Sequence, residues 1–232
     1  MNKPTPSPKD QLADHLRQGV LTLALPPGAD LDEVRLSEEF GLSRTPLREV
    51  FRALAGEGYL DLRAGRGARV SDMSMTTLRD FFLAAPMIYA AVLRLAAQNA
   101  TQSQITALKA AQTQFEAALH SDNTAQRALA NNRFHDITGE MAQNTYLLPS
   151  FKRLLIDHAR IAMTFYNAQT GRQDDDTETA SQHHHAMINA IIARDADTAE
   201  DLAHAHWQLS RGHIERFVMP GALDLPLGAS HN

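Results

Sequence analysis

Apolar residues recur three and four apart along most of the chain, the spacing of helices that pack on one side. From Lys9 to about Thr22 the series is Leu12, Leu16, Val20 and Leu23, and Pro26-Pro27-Gly28 ends it in a turn. Leu31 to Phe40 predicts a second helix, with Asp32 as its cap, Val34, Leu36 and Phe40 as apolar positions, and Gly41 closing it. One residue later Ser43 caps a third helix with Pro46 in its first turn. There Leu47, Val50, Phe51 and Leu54 form an apolar stripe, while Arg44, Arg48 and Arg52 recur every four residues on another side. Two helices joined by so tight a glycine turn are the sequence form of a helix-turn-helix. The period then changes to two. Residues 57–63 alternate like a strand, Ala64-Gly65-Arg66-Gly67 is a turn, and residues 68–71 return as a second strand.

After Met73 the helical period resumes. Helices are expected at Thr76–Ala100, with Pro86 as a kink point, and at Ser103–His120. Others follow from Asn123 or Thr124 to about Gln143, then at Tyr146–Asn167, Thr177–Ala193 and Asp197–Phe217. Residues 168–176, polar and with three consecutive aspartates, read as a loop. The fold class is therefore mainly α: a winged helix-turn-helix of three helices and a β-hairpin, followed by an all-α bundle of six or seven helices. The expected organisation is a loose tail over 1–8, a DNA-binding domain over 9–73, a helical domain over 76–219 and an irregular tail over 220–232.

Composition narrows the reading. With 232 residues, 44% of them hydrophobic, the chain can bury a sizeable core. It has no cysteine, which excludes disulfides and thiolate metal sites and fits a reducing cytoplasm. No apolar run is expected to reach the ~20 residues that span a bilayer, so no membrane partner is expected. Net charge is −5, and residues 9–72 hold nine Lys/Arg against eleven Asp/Glu. A broadly basic nucleic-acid binder is excluded, but not one whose guanidinium groups share a face. Arg44, Arg48, Arg52, Arg63, Arg66 and Arg69 all fall in the third helix and the hairpin. The planar guanidinium suits phosphates and guanine edges, because it donates two parallel hydrogen bonds. Each good base contact is worth only ~1–3 kcal/mol, so a dimer on two half-sites is expected.

Of eleven histidines, ten lie beyond residue 100. Asn131 and His135 share a helix face. If the last two helices turn back on each other near residue 195, His184 and His206 are each eleven residues from the turn and lie side by side. Three imidazoles from three helices form a constellation suited to a divalent metal, against the alternative of scattered surface histidines.

Residues 27–28, 42–49 (Leu-Ser-Arg-Thr-Pro-Leu-Arg-Glu), 57–59 and 65–67 resemble the winged helix-turn-helix of GntR-type bacterial transcription regulators. The resemblance implies DNA contacts by Arg44 and Arg48, flanked by Ser43 and Thr45, by Arg35 of the second helix, and by Arg66 and Gly67 at the wing. The second half is similar to the FCD effector domain of the FadR-type subgroup, on Asn131 to His135, His184 and His206. This implies a metal ion (zinc, nickel or manganese) held by Asn131, His135, His184 and His206, beside a pocket for a small-metabolite effector. Asn131 stands where that subgroup has aspartate, so a weaker metal, or none, is implied. The positions of its usual arginine and glutamate effector clamp fall on Ala85 and Tyr89, which leaves Arg160 as a substitute cation. The whole implies a cytoplasmic homodimeric transcription regulator on a palindromic double-stranded operator, a repressor or an activator, and not an enzyme. The rival is a metal-dependent enzyme in a helical bundle with an appended winged helix. Against it, no glutamate accompanies a His pair as in H-E-x-x-H.

Overall fold

The computed structural model describes residues 6–63, 65, 67–121, 123–166 and 173–218. The expected end segments 1–5 and 219–232, the wing-tip residue Arg66 and residues 167–172 of the expected loop lie outside them.

Helix α1 (Pro8–Leu21) begins one residue earlier than its periodicity suggests, because Ser7 and Asp10 form a capping box ahead of a proline at the first helical position. Asp32 caps α2 (Glu33–Glu39) by accepting from the N–H groups of Val34 and Arg35. This helix is shorter than expected, and Val34 is 61% exposed rather than part of the core. Helix α3 (Arg44–Glu57) follows. Ser43 has the extended backbone of an N-cap but makes no side-chain capping bond. Leu12, Leu16, Leu47 and Leu54 are fully buried, each worth roughly 1.5–3 kcal/mol of apolar burial.

The first strand starts later than the alternation implied. Gly58, left-handed at φ 93°, caps α3 and turns the chain, so β1 spans only Leu60–Arg63. It pairs antiparallel with β2 (Gly67–Val70), Leu60 opposite Val70 and Arg63 opposite Gly67. An isolated bridge from Asp30 to Arg69 adds a third segment beside the wing.

The second half contains α4 (Met75–Asn99), α5 (Gln102–Leu119), α6 (Thr124–Met141), α7 (Leu147–Tyr166), α8 (Gln173–Ala193) and α9 (Ala196–Val218). Helix α8 starts four residues before the expected Thr177. Its described residues begin at Gln173. Helix α4 runs on through Pro86 and packs against α6, α7, α8 and α9. The membrane-length expectation needs correcting. An 18-residue window of α4 has mean hydropathy 1.5, apolar and long enough to cross a bilayer by composition. One side of it lies in the bundle, where Ala85, Val92, Ala96 and Ala97 are buried among neighbouring helices, while Met75, Leu83 and Met87 are exposed on another.

The winged helix does not close its core alone. Ile156 and Ala159 of α7 belong to the same apolar cluster as Leu16, Leu47 and Leu54. Beside them the fully buried Arg160 donates to the side-chain oxygen and carbonyl of Ser71, just after β2, and pairs with Asp157 at 3.1 Å.

Candidate DNA interface and histidine cluster

Burial of Leu47, Val50, Phe51 and Leu54 turns the opposite side of α3 to solvent, and Arg44, Thr45, Arg48 and Arg52 are exposed there. Among the described residues Arg44 and Arg35 take part in no ion pair. The carboxylates on the far side of α3 are instead occupied, Glu49 by Lys9 and Glu57 by Arg17. Arg48 donates through Nε and Nη2 to Glu33 Oε2, at 3.3 and 3.2 Å. Because the Arg48 side chain is 54% exposed, this pair is screened and readily exchanged for phosphate. Gly67 sits against the same carboxylate. Its φ is +77°, and a Cβ there would lie 2.5 Å from Glu33 Oε1. The wing glycine thus has a structural cause within the protein besides any approach to a groove.

The bundle brings His135, His184 and His206 together from α6, α8 and α9, with one ring nitrogen of each within 4.8 Å of the others. The antiparallel pairing of α8 and α9 sets the His184 and His206 ring centroids 4.9 Å apart. Phe134 stacks on His184 at 3.8 Å and 9°, fixing that ring's plane. His135 Nε2, His184 Nε2 and His206 Nδ1 are buried and have no hydrogen-bond partner. Three convergent ring nitrogens without hydrogen-bond partners are costly to bury, and a divalent ion would accept the lone pairs of their ligating tautomers. The residues present therefore fit a metal.

Burial, then the neighbouring imidazoles, pushes His135 and His184 well below the usual histidine range, and burial first pushes His206 down to about 3. All three are neutral near pH 7, the form that ligates. Asn131 is buried one turn before His135 on α6. His185 pairs with Glu116 at the surface, and His183 is half-buried with its ring 5.8 Å from that of His206.

Ala85 and Tyr89 are buried on the α4 side of this cluster, the Tyr89 ring 5.8 Å from His135 and 5.9 Å from Trp207. Arg160 goes elsewhere, to Ser71 and Asp157 at the seam with the winged helix. His158 faces the cluster instead. It lies two residues earlier on α7, about 200° around the helix. Its ring is 5.5 Å from His135, and its Nδ1 is 2.8 Å from the Tyr89 hydroxyl. Burial lowers its pKa to about 4. Sequence reasoning missed His158, although it follows Phe151 and Leu155 at helical spacing and so continues an apolar stripe. Gln112, which holds His184 Nδ1 at 2.9 Å, was missed in the same way.

A solvent-facing arginine helix with a wing, joined to a helical bundle around a ligating cluster, defines a DNA-binding regulator with a sensory domain. The chain belongs to the GntR family of bacterial regulatory proteins, whose model matches residues 8–70, and carries an FCD domain, matched over residues 86–209. It is 27% identical over 207 residues to the HTH-type transcriptional repressor RspR of Escherichia coli K12, covering 88% of each chain. It is 28% identical over 193 residues to a probable D-xylose utilization operon transcriptional repressor of Paenarthrobacter nicotinovorans, covering 82% of this chain and 81% of the other. Among solved structures E. coli McbR/YncC superposes with TM-score 0.72 at 18% identity, covering 90% of this chain and 96% of that one. The protein is a DNA-binding transcription regulator with an effector-binding domain, and the enzyme alternative falls with that membership.

Proposed function

We propose that the protein is a homodimeric repressor acting in the cytoplasm. Residues 9–73 form its reading head and 76–219 its sensing and dimerising unit. Arg44, Arg48 and Thr45 read base edges in a palindromic operator, Ser43 and Arg35 hold phosphates, and Arg66 and Gly67 approach the minor groove. The observation that carries this reading is the burial of one face of α3 with the arginines left on the other. Met75, Leu83 and Met87, 63–68% exposed along α4, support a second copy of the chain as the dimer partner.

His135, His184 and His206, with Asn131 beside them, would hold a divalent ion that polarises an oxygen of a small metabolite resting near Ala85 and Tyr89. Uncharged donors favour zinc or nickel over manganese, which prefers carboxylates. They also leave the ion's positive charge uncompensated, which offsets the missing arginine clamp and favours an oxyanion ligand. Arg160 contributes by holding the reading head to α7 rather than by touching the effector.

Selection of binding sites from a random duplex library by the full-length zinc-loaded protein tests the reading. The expected outcome is a two-fold symmetric site bound by a dimer, lost in Arg44→Ala. Retention of no duplex above background would overturn it.

A further inference from the structure

The outer nitrogen of His184 is not left to chance. Gln112, 1% exposed on α5, places its amide between His184 and two polar groups. Its Nε2 donates to Ser181 Oγ at 2.9 Å and to Glu116 Oε1 at 3.2 Å. The Ser181 carbonyl accepts from the same nitrogen at 3.5 Å; a carboxylate and a carbonyl can only accept, so Glu116, the nearer of the two, and Ser181 set which end of the amide faces them. The amide oxygen must then face His184, where it lies 2.9 Å from Nδ1. A carbonyl oxygen cannot donate, so Nδ1 carries the proton and the lone pair of the neutral ring sits on Nε2. That is the atom which is buried, unpartnered and aimed at His135 and His206. The polar chain runs from a carboxylate at the surface, itself paired with His185, through one amide to a nitrogen in the core.

We propose that Gln112 is a positioning residue for the metal centre: it locks His184 in its ligating tautomer, and Glu116 acts through it. This rests on the metal reading above. A hydrogen bond from the non-ligating nitrogen raises imidazole basicity, and relayed from a carboxylate it returns part of the negative charge forgone where Asn131 replaces an acid. The relay also makes Glu116 a determinant of affinity although its side chain is 39% exposed and is not among the clustered nitrogens.

Zinc alone is the probe, measured on the full-length protein by competition with a chromophoric chelator, alongside nitrogen NMR of the histidines in the metal-free state. Native protein should show His184 protonated on Nδ1. Gln112→Leu should bind zinc ~10–100-fold more weakly. Glu116→Gln removes the charge and the nearer of the two groups that can only accept from the amide, leaving the longer contact to the Ser181 carbonyl, so the Nε2–H tautomer should become detectable and zinc affinity should fall several-fold, in a surface variant that folds normally. A native His184 protonated on Nε2 would overturn the proposal, as would zinc affinities within two-fold of native in both Gln112→Leu and Glu116→Gln. Failure of native protein to bind zinc while His184 still shows the Nδ1–H signature would instead remove the metal reading, and with it any role for the relay.

Discussion

Arg160 of α7 reaches out of the helical bundle to the carbonyl of Ser71, immediately after the second wing strand. Its charge is met by Asp157 one turn back, and Arg153 pairs with the other oxygen of that carboxylate at 3.4 Å. Within this same stretch Ile156 and Ala159 complete the winged-helix core, while His158 bonds Tyr89 beside the histidine cluster. A single turn of α7 thus touches both halves of the molecule. A displacement of this turn would therefore disturb contacts on both sides of it.

The seam should be energetically costly to break. Arg160→Met leaves Asp157 buried with one cation fewer, and removal of one partner from a buried pair typically costs ~3–5 kcal/mol. Urea unfolding should show a large fall in midpoint. A loss below about 1 kcal/mol would mean that the two halves do not depend on this contact.

Tyr89→Phe removes the hydroxyl from His158 Nδ1 and leaves a buried nitrogen unsatisfied. The expected loss is about 1–3 kcal/mol with the fold intact, read from thermal unfolding and far-UV dichroism. His158→Phe, which removes the other partner too, should recover part of it.

On the DNA side, Arg48→Ala should abolish specific operator binding while sedimentation still shows a dimer. Fluorescence anisotropy on the selected duplex measures it, and unchanged affinity would end the assignment. Glu33→Gln releases Arg48 from its partner in the free protein, and should strengthen non-specific binding at low salt more than at high salt.

Gly67→Ala forces a Cβ against Glu33 and a left-handed backbone on alanine. The wing should loosen by about 1–2 kcal/mol, seen as faster amide exchange at Ala68 and Val70. If the glycine serves only the groove, exchange stays native and DNA binding alone suffers.

Acid should destabilise the metal-free protein. Burial holds His158 at about 4 and His206 at about 3, below the ~6.5 of an unfolded histidine. Between these values the unfolded chain binds more protons than the native one, so stability is intact above pH ~6.5 and falls as pH drops toward 4. Each such group adds a slope approaching about 1.4 kcal/mol per pH unit. Chelator-treated protein should therefore lose melting temperature steeply between pH 6.5 and 4.5, and His206→Leu should flatten the curve. Zinc added near neutral pH should raise the melting temperature, by about 2.7 kcal/mol equivalent at a hundred-fold excess over Kd.

Local patterning carried the helices because each buries a stripe that recurs at helical period, as Leu12, Leu16 and Val20 do on α1. It also carried the pairing of His184 with His206, since equal distances from one turn place residues side by side on antiparallel helices. It placed Asp32 correctly as the cap of α2, and misjudged ends where other single residues outweigh the period: Ser7 with Asp10 drawing α1 back to Pro8, and Gly58 stopping α3 and delaying β1.

What the sequence determined by itself is everything whose cause lies within one helical turn: the capped arginine helix, the wing and the all-α second half. Only the tertiary structure decided which polar groups would meet across helices. Arg160 and His158 are two residues apart and equally polar by sequence. The packing of α7 sends one to Ser71 and the other to Tyr89. Gln112 and His184 are 72 residues apart, and no local signal joins them, because their hydrogen bond exists only once α5 and α8 lie side by side.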